Sequence, residues 1–151
     1  MLGRALGESS VAAGVQAEDW REAVEASGRL LVASGAAKEG YVAAMVRVVE
    51  ELGAYAVIAP GVALPHARPE DGALGVGLSL AVLAEPVKFG SPENDPVDLV
   101  FGFATPNADA HVELLAELAD FIENEQSLRA LRRAGSAEEI IRIMEGGVER
   151  D

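Results

Sequence analysis

The 151-residue chain holds two histidines, His66 and His111, and each stands where a reactive side chain would be of use. His66 lies in Pro65-His66-Ala67-Arg68-Pro69, directly after a short apolar run. Pro65 fixes its own φ and Pro69 pushes Arg68 towards extended backbone, so this loop has little conformational freedom left to lose. Such a loop at a strand end presents its side chain rather than burying it. His111 opens a leucine-rich helix, and its spacing to Leu114, Leu115 and Leu118 puts it on the apolar face that turns towards a sheet. A helix N-terminus disfavours the imidazolium and so helps keep the ring neutral. A neutral imidazole can act as a nucleophile through one nitrogen while a hydrogen bond holds the other, which is what phosphoryl acceptance on histidine requires. The same two residues also admit plainer readings. A loop histidine can be an ordinary surface residue, an inward-facing one a hydrogen-bonded packing residue, and Arg68 a solvated partner for Glu70 or Asp71.

Other chemistries lack their residues. There is no cysteine, which excludes disulfides, thiolate metal sites and thiol catalysis and fits a reducing compartment. Two histidines 45 positions apart, with no His-x-x-x-His, do not make a zinc motif. Gly72, Gly75 and Gly77 are not followed by the Lys-Ser or Lys-Thr of a phosphate loop. Glu50-Glu51, Glu70-Asp71 and Glu123 to Glu125 read as solvated faces. No cofactor is called for.

The elements that must position the two histidines alternate along the chain. Trp20, Ala23, Val24, Ser27, Leu30 and Leu31 form one stripe of a helix from about Glu18 to Ser34, stopped by Gly35. Tyr41, Met45, Val48, Val49 and Leu52 form the stripe of a second, ending at Gly53. Ala54 to Ala59, Val62 to Leu64, Val76 to Leu83 and Val97 to Ala104 read as strands, the last two nearly continuous in apolar character, as strands covered on both faces are. Gly90 to Pro96 is loop chemistry throughout. A third helix runs from about Ala108 to Asn124. Ser136-Ala137-Glu138-Glu139 has capping-box spacing and starts a short helix through Ile140, Ile141 and Met144, stopped at Gly146-Gly147. The order predicts an α/β fold, a mixed sheet with helices on both faces.

Size and charge narrow the field further. The length suits one domain, 1–151 with a core over about 10–145, and half the residues are apolar, as a globular fold needs. Twelve Lys and Arg against 25 Asp and Glu leave a net charge of −13, which repels phosphate backbones and anionic lipid, so nucleic acid is not an expected partner. No apolar run approaches the roughly 20 residues of a spanning helix. Met1-Leu2-Gly3-Arg4 lacks the pattern of a signal peptide, and a cytoplasmic protein is expected.

At the two histidines the sequence resembles a known family. Ala59-Pro60-Gly61-Val62-Ala63-Leu64-Pro65-His66-Ala67-Arg68-Pro69-Glu70 is similar to the active-site region of mannitol/fructose-type enzyme IIA domains of the bacterial phosphotransferase system, most of all the ascorbate-type branch. His111-Val112-Glu113-Leu114-Leu115-Ala116-Glu117-Leu118-Ala119 matches the family's second signature, a histidine followed by a leucine-rich helix. The resemblance runs from about residue 10 to 145 and implies a five-stranded mixed sheet between helices. It also implies a mechanism. His66 would accept a phosphoryl group from the carrier protein HPr through Nε2 and pass it to a cysteine of enzyme IIB, which serves the permease IIC. His111 would sit beside the acceptor, holding phosphoryl oxygens or orienting the ring. Arg68, two residues on, is read as a charge that balances the anion or contacts the carrier.

The resemblance has gaps. An arginine near the end of the second helix approaches the site in the mannitol and fructose branches. The comparable place here is Arg47 or Val48, and that role is not carried over. Many members have glycine where this chain has Ala67, which matters only if the backbone there needs positive φ. A regulatory paralogue of the nitrogen type, acting by phosphorylation-dependent binding, is the alternative to transport. A free-standing hydrolase using both histidines as an acid–base pair is a third reading. The sugar is not specified beyond a preference for ascorbate or a related polyol, and a homodimer is left open.

Overall fold

Apolar strands of near-continuous hydrophobicity need cover on both faces, and the computed structural model supplies it. It describes residues 10–146, apart from the side chains of residues 108–111. The order is β1 (Val11–Val15), α1 (Trp20–Ala33), α2 (Glu39–Leu52), β2 (Val57–Ala59), β3 (Val62–Ala63), β4 (Gly77–Val87), β5 (Val97–Ala104), α3 (Ala108–Ile122), α4 (Glu125–Arg133) and α5 (Ala137–Gly146). The strands form one five-stranded sheet in the order β1-β4-β5-β3-β2. The sheet is mixed: β1 runs parallel to β4 and β3 parallel to β5, whereas β4–β5 and β2–β3 are antiparallel.

Alternation along β5 sorts the two cores. Leu99, Phe101 and Phe103 join Val62, Leu64, Leu78 and Leu80 under Leu114, Leu118, Leu131 and Ile140 of α3 to α5. Val100 and Ala104 face the other way, with Ala63, Ala81 and residues of α1 and α2 such as Val24, Leu31, Tyr41 and Met45. Large side chains thus fill one face and small ones the other, so α1 lies close against the sheet. At Gly102 a Cβ would collide with Ser79 Oγ and press on the Ser27 carbonyl. Fully burying a Leu or Phe contributes about 1.5–3 kcal/mol, so both faces are needed to offset the ordering of the chain.

Local chemistry sets the helix ends. Asp19 caps α1 by accepting from Glu22 N–H at 2.9 Å. At α5, Ser136 Oγ accepts from Glu139 N–H at 3.1 Å, while the Glu139 carboxylate reaches back to Gly135 N–H at 3.0 Å, one residue earlier than the standard box.

The structure departs from expectation in four places. β1 was not anticipated: Val-Ala-Ala-Gly-Val is short, small and interrupted by Gly14, so it gives little periodic signal. Ala54 to Ala59 is only half strand, because residues Gly53–Ala56 form a 3₁₀ turn after the helix. The third helix ends at Ile122, and a further helix follows it. Asn124, read as the helix end, caps α4 by accepting from Ser127 N–H at 3.1 Å. The strand expected over Val76 to Leu83 runs on to Val87, since the ladder with β5 resumes at Val87–Val97 after an irregularity.

Candidate functional site

The register of β3 carries His66 to its place. Val62 pairs with Leu99 and Ala63 with Val100, and the same offset reappears at an isolated parallel bridge between His66 and Phe103. The chain therefore stays alongside β5 through Leu64 and Pro65. His66 emerges on the face of the sheet that carries Val62, Leu64 and Phe103, the face covered by α3. Its ring meets the Phe103 ring edge to face, centroids 5.9 Å apart at 81°.

The imidazole is half-buried, and its Nδ1 lies 3.1 Å from the Leu64 carbonyl oxygen. A carbonyl only accepts, so Nδ1 bears a proton, and the neutral tautomer that fits this contact has its lone pair on Nε2. His66 also borders a depression of about 260 Å³ lined by Val48, Val49, Leu52, Tyr55, Ile58, Leu64 and Leu115, among others, an almost wholly apolar wall. Of its lining residues, Leu52, Tyr55 (82 % exposed) and Ile58 stand out to solvent as large apolar groups. Such a patch beside a polar group marks a contact surface.

The other expected residues fare differently. His111 belongs to the first turn of α3, but its side chain lies outside the described residues. Leu115, one turn further along that helix, lines the same depression as His66. Arg68 is exposed; its backbone N–H donates to Asp71 Oδ2 at 3.0 Å and opens the 3₁₀ turn Pro69–Asp71. Of the two α2 positions considered, Val48 lines the depression and Arg47 is exposed on the same helix. Ala67 needs no glycine, because no described non-glycine residue has positive φ.

Tyr41 entered the sequence reading only as part of an apolar stripe, yet it touches the site's backbone. Buried to 1 % exposure, its hydroxyl donates to the Phe103 carbonyl at 2.8 Å and accepts from Ala67 N–H at 3.1 Å. Burial raises its phenol above the usual 10.0, the Ala67 hydrogen bond offsets part of this, and the Asp71 charge adds to the rise. A buried phenol on an otherwise aliphatic stripe must satisfy its polar end, and that was the available signal. The exposed Tyr55 was hidden by reading its segment as strand.

Among the described residues no cluster of His, Asp and Glu could hold a metal ion, and no helix is long and apolar enough to cross a membrane.

Comparison with known proteins gives the family. The chain is 37 % identical over 131 residues to the ascorbate-specific PTS system EIIA component of Escherichia coli strain K12, covering 86 % of this chain and 85 % of that one. The solution structure of the mannitol-specific cryptic phosphotransferase enzyme IIA CmtB from Escherichia coli superposes with a TM-score of 0.84 at 34 % identity, over 95 % of this chain and 97 % of that one. Enzyme IIA for mannitol from the same organism, solved in complex with phosphorylated enzyme IIB, gives 0.81 at 28 % identity, over 93 % and 97 %. The family model described as phosphoenolpyruvate-dependent sugar phosphotransferase system, EIIA 2, matches residues 5–146, and the chain belongs to that family.

Proposed function

We propose that this protein is the phosphocarrier of a sugar phosphotransferase system, with His66 as the residue that carries the phosphoryl group. The observation behind this is the Nδ1 contact to the Leu64 carbonyl, which leaves the ring's nucleophilic lone pair on Nε2. In the first step Nε2 attacks phosphorus while the phosphohistidine bond of HPr breaks, its electron pair returning to the donor imidazole. In the second, a cysteine thiolate of enzyme IIB attacks, a P–S bond forms, and the P–Nε2 bond breaks with its electrons returning to His66. Phosphoryl transfer needs little from the protein beyond a nucleophile, positioning and charge stabilisation. These 151 residues include no cysteine, so the thiol of the second step is not among them.

The apolar rim supports docking of such partners. Leu52, Tyr55 and Ile58 line the depression that His66 borders and stand out to solvent, and they offer a contact area beside the imidazole. The acidic chain favours a donor with a basic face. Arg68 and His111 are assigned supporting roles: Arg68 balances the phosphoryl charge or contacts the carrier, and His111 steadies the oxygens or the ring. Enzyme IIB in turn serves the membrane permease IIC. The likeness to the ascorbate-specific component favours ascorbate or a related polyol as the transported compound, and the work of the protein is placed in the cytoplasm.

Incubation with phosphoenolpyruvate, enzyme I and HPr, followed by intact mass, tests the reading. One acid-labile, alkali-stable phosphoryl group is expected, absent in His66→Ala, and chased by a purified enzyme IIB with its cysteine. His111→Ala takes the label but exchanges it slowly. Labelling that survives His66→Ala removes the acceptor assignment, and a phosphoprotein that no enzyme IIB discharges removes the transport role.

A further inference from the structure

Of the two tyrosines, Tyr55 stands in solvent and Tyr41 is sealed behind the candidate acceptor. The imidazole is set by two peptide groups, one on each side of it in sequence. Before it, the Leu64 carbonyl takes the Nδ1 proton; after it, Ala67 N–H donates to the Tyr41 hydroxyl at 3.1 Å. That hydroxyl donates in turn to the carbonyl of Phe103, the residue whose ring packs edge to face on the imidazole. One phenol thus joins both supports of the ring, the loop that carries it and the strand it leans on. It does so from the far face of the sheet: Tyr41 and Ala67 pack with the α1–α2 core, whereas Phe103 points its ring into the other.

We propose that Tyr41 is a positioning residue for His66, its hydroxyl fixing the peptide after the imidazole so that Nδ1 stays on the Leu64 carbonyl and the lone pair stays on Nε2. Pro65 and Pro69 already restrict the loop, but neither constrains the Ala67 peptide plane. If that plane turns, the backbone of His66 turns with it, and the short Nδ1 contact to its own neighbour is the first geometry lost. The proposal rests on reading His66 as the phosphoryl acceptor.

The test compares Tyr41→Phe with Ser79→Ala in the full-length chain. Ser79 is a control of the same kind, a buried hydroxyl of the same sheet that donates to the Ser27 carbonyl at 2.8 Å. Two quantities are read: the ¹⁵N chemical shifts of the His66 ring, which report the tautomer, and the rate of phosphoryl uptake from phosphorylated HPr. In Tyr41→Phe the shifts move towards a mixture of tautomers and uptake slows by ~10-fold, since small misplacements of a reacting group carry penalties of that order. In Ser79→Ala both stay as in the unmodified protein although thermal stability falls. Unchanged ring shifts in Tyr41→Phe overturn the proposal even if uptake slows. If Tyr41→Phe does not fold, hydrogen exchange in the unmodified protein decides: the Ala67 amide must be protected, and free exchange there overturns the proposal. A chain that never takes up phosphate defeats the acceptor reading alone, because the ring shifts need no phosphate.

Discussion

Two loops flank β5, one at each end, and they are held by opposite means. The segment from Phe89 to Asp95 organises itself: the Asp95 carboxylate accepts from the N–H groups of Phe89, Gly90 and Ser91 at 2.8–2.9 Å, all within six residues. The segment around His66 is fixed from afar, by a phenol 26 residues from Ala67 and 62 from Phe103. A loop held by its own carboxylate needs only the nearby chain. A loop held by a buried hydroxyl needs a finished sheet and a docked α2. The end that carries His66 therefore depends on the tertiary structure, and the far end is a local turn that fastens the sheet.

Substitutions separate the two. Asp95→Ala removes three charge-assisted hydrogen bonds and should cost about 2–3 kcal/mol by denaturant unfolding. Its phosphoryl uptake should stay at the unmodified rate, and slowed uptake would show the ends to be coupled. Tyr41→Phe should cost about 1.5 kcal/mol, less than Asp95→Ala, while it is the variant that disturbs transfer. Arg132→Gln sharpens the same contrast. Arg132 Nε lies 2.9 and 3.0 Å from the two Asp98 oxygens, and its guanidinium reaches the Pro60 carbonyl at 3.3 Å beside the β2–β3 turn. Gly61 in that turn has φ +76°, which strains any other residue, and a Cβ there would have to displace the guanidinium. The pair is partly exposed, so its loss should cost under about 1 kcal/mol.

The smallest effect is alkaline. Because burial raises the Tyr41 phenol, the unfolded chain loses that proton first once the pH passes 10.0. The folded form then binds more protons than the unfolded form, so this part of the stability falls as pH rises towards the raised value and is fully present below 10.0. Thermal midpoints of the unmodified protein and Tyr41→Phe, taken between about pH 9 and 11, should converge as the pH rises. A gap that stays constant would place the phenol in a more open setting.

Much of the frame was legible in the residues. The stripes of α1 and α2, the loop at 90–96, the cap at Ser136 and the rigid Pro65–Pro69 segment all follow from local pattern. Comparison with relatives supports the family that the Pro-His stretch suggested. β1 escaped because small residues and Gly14 carry no alternation, and its strand character comes from pairing with β4. α4 escaped because its cap, Asn124, follows the previous helix so closely that it reads as that helix's end and not as the start of another.

Sequence alone determined where chain direction changes and which faces are apolar, because caps, prolines and side-chain periodicity act within a few residues. Tertiary structure decided which groups meet at His66. The edge-to-face contact with Phe103 depends on the register of β3 against β5, and the grip on Ala67 depends on how deeply α2 docks. A buried polar atom must find a partner in a medium without water, and which partner it finds is set by distances that exist only once both layers are packed.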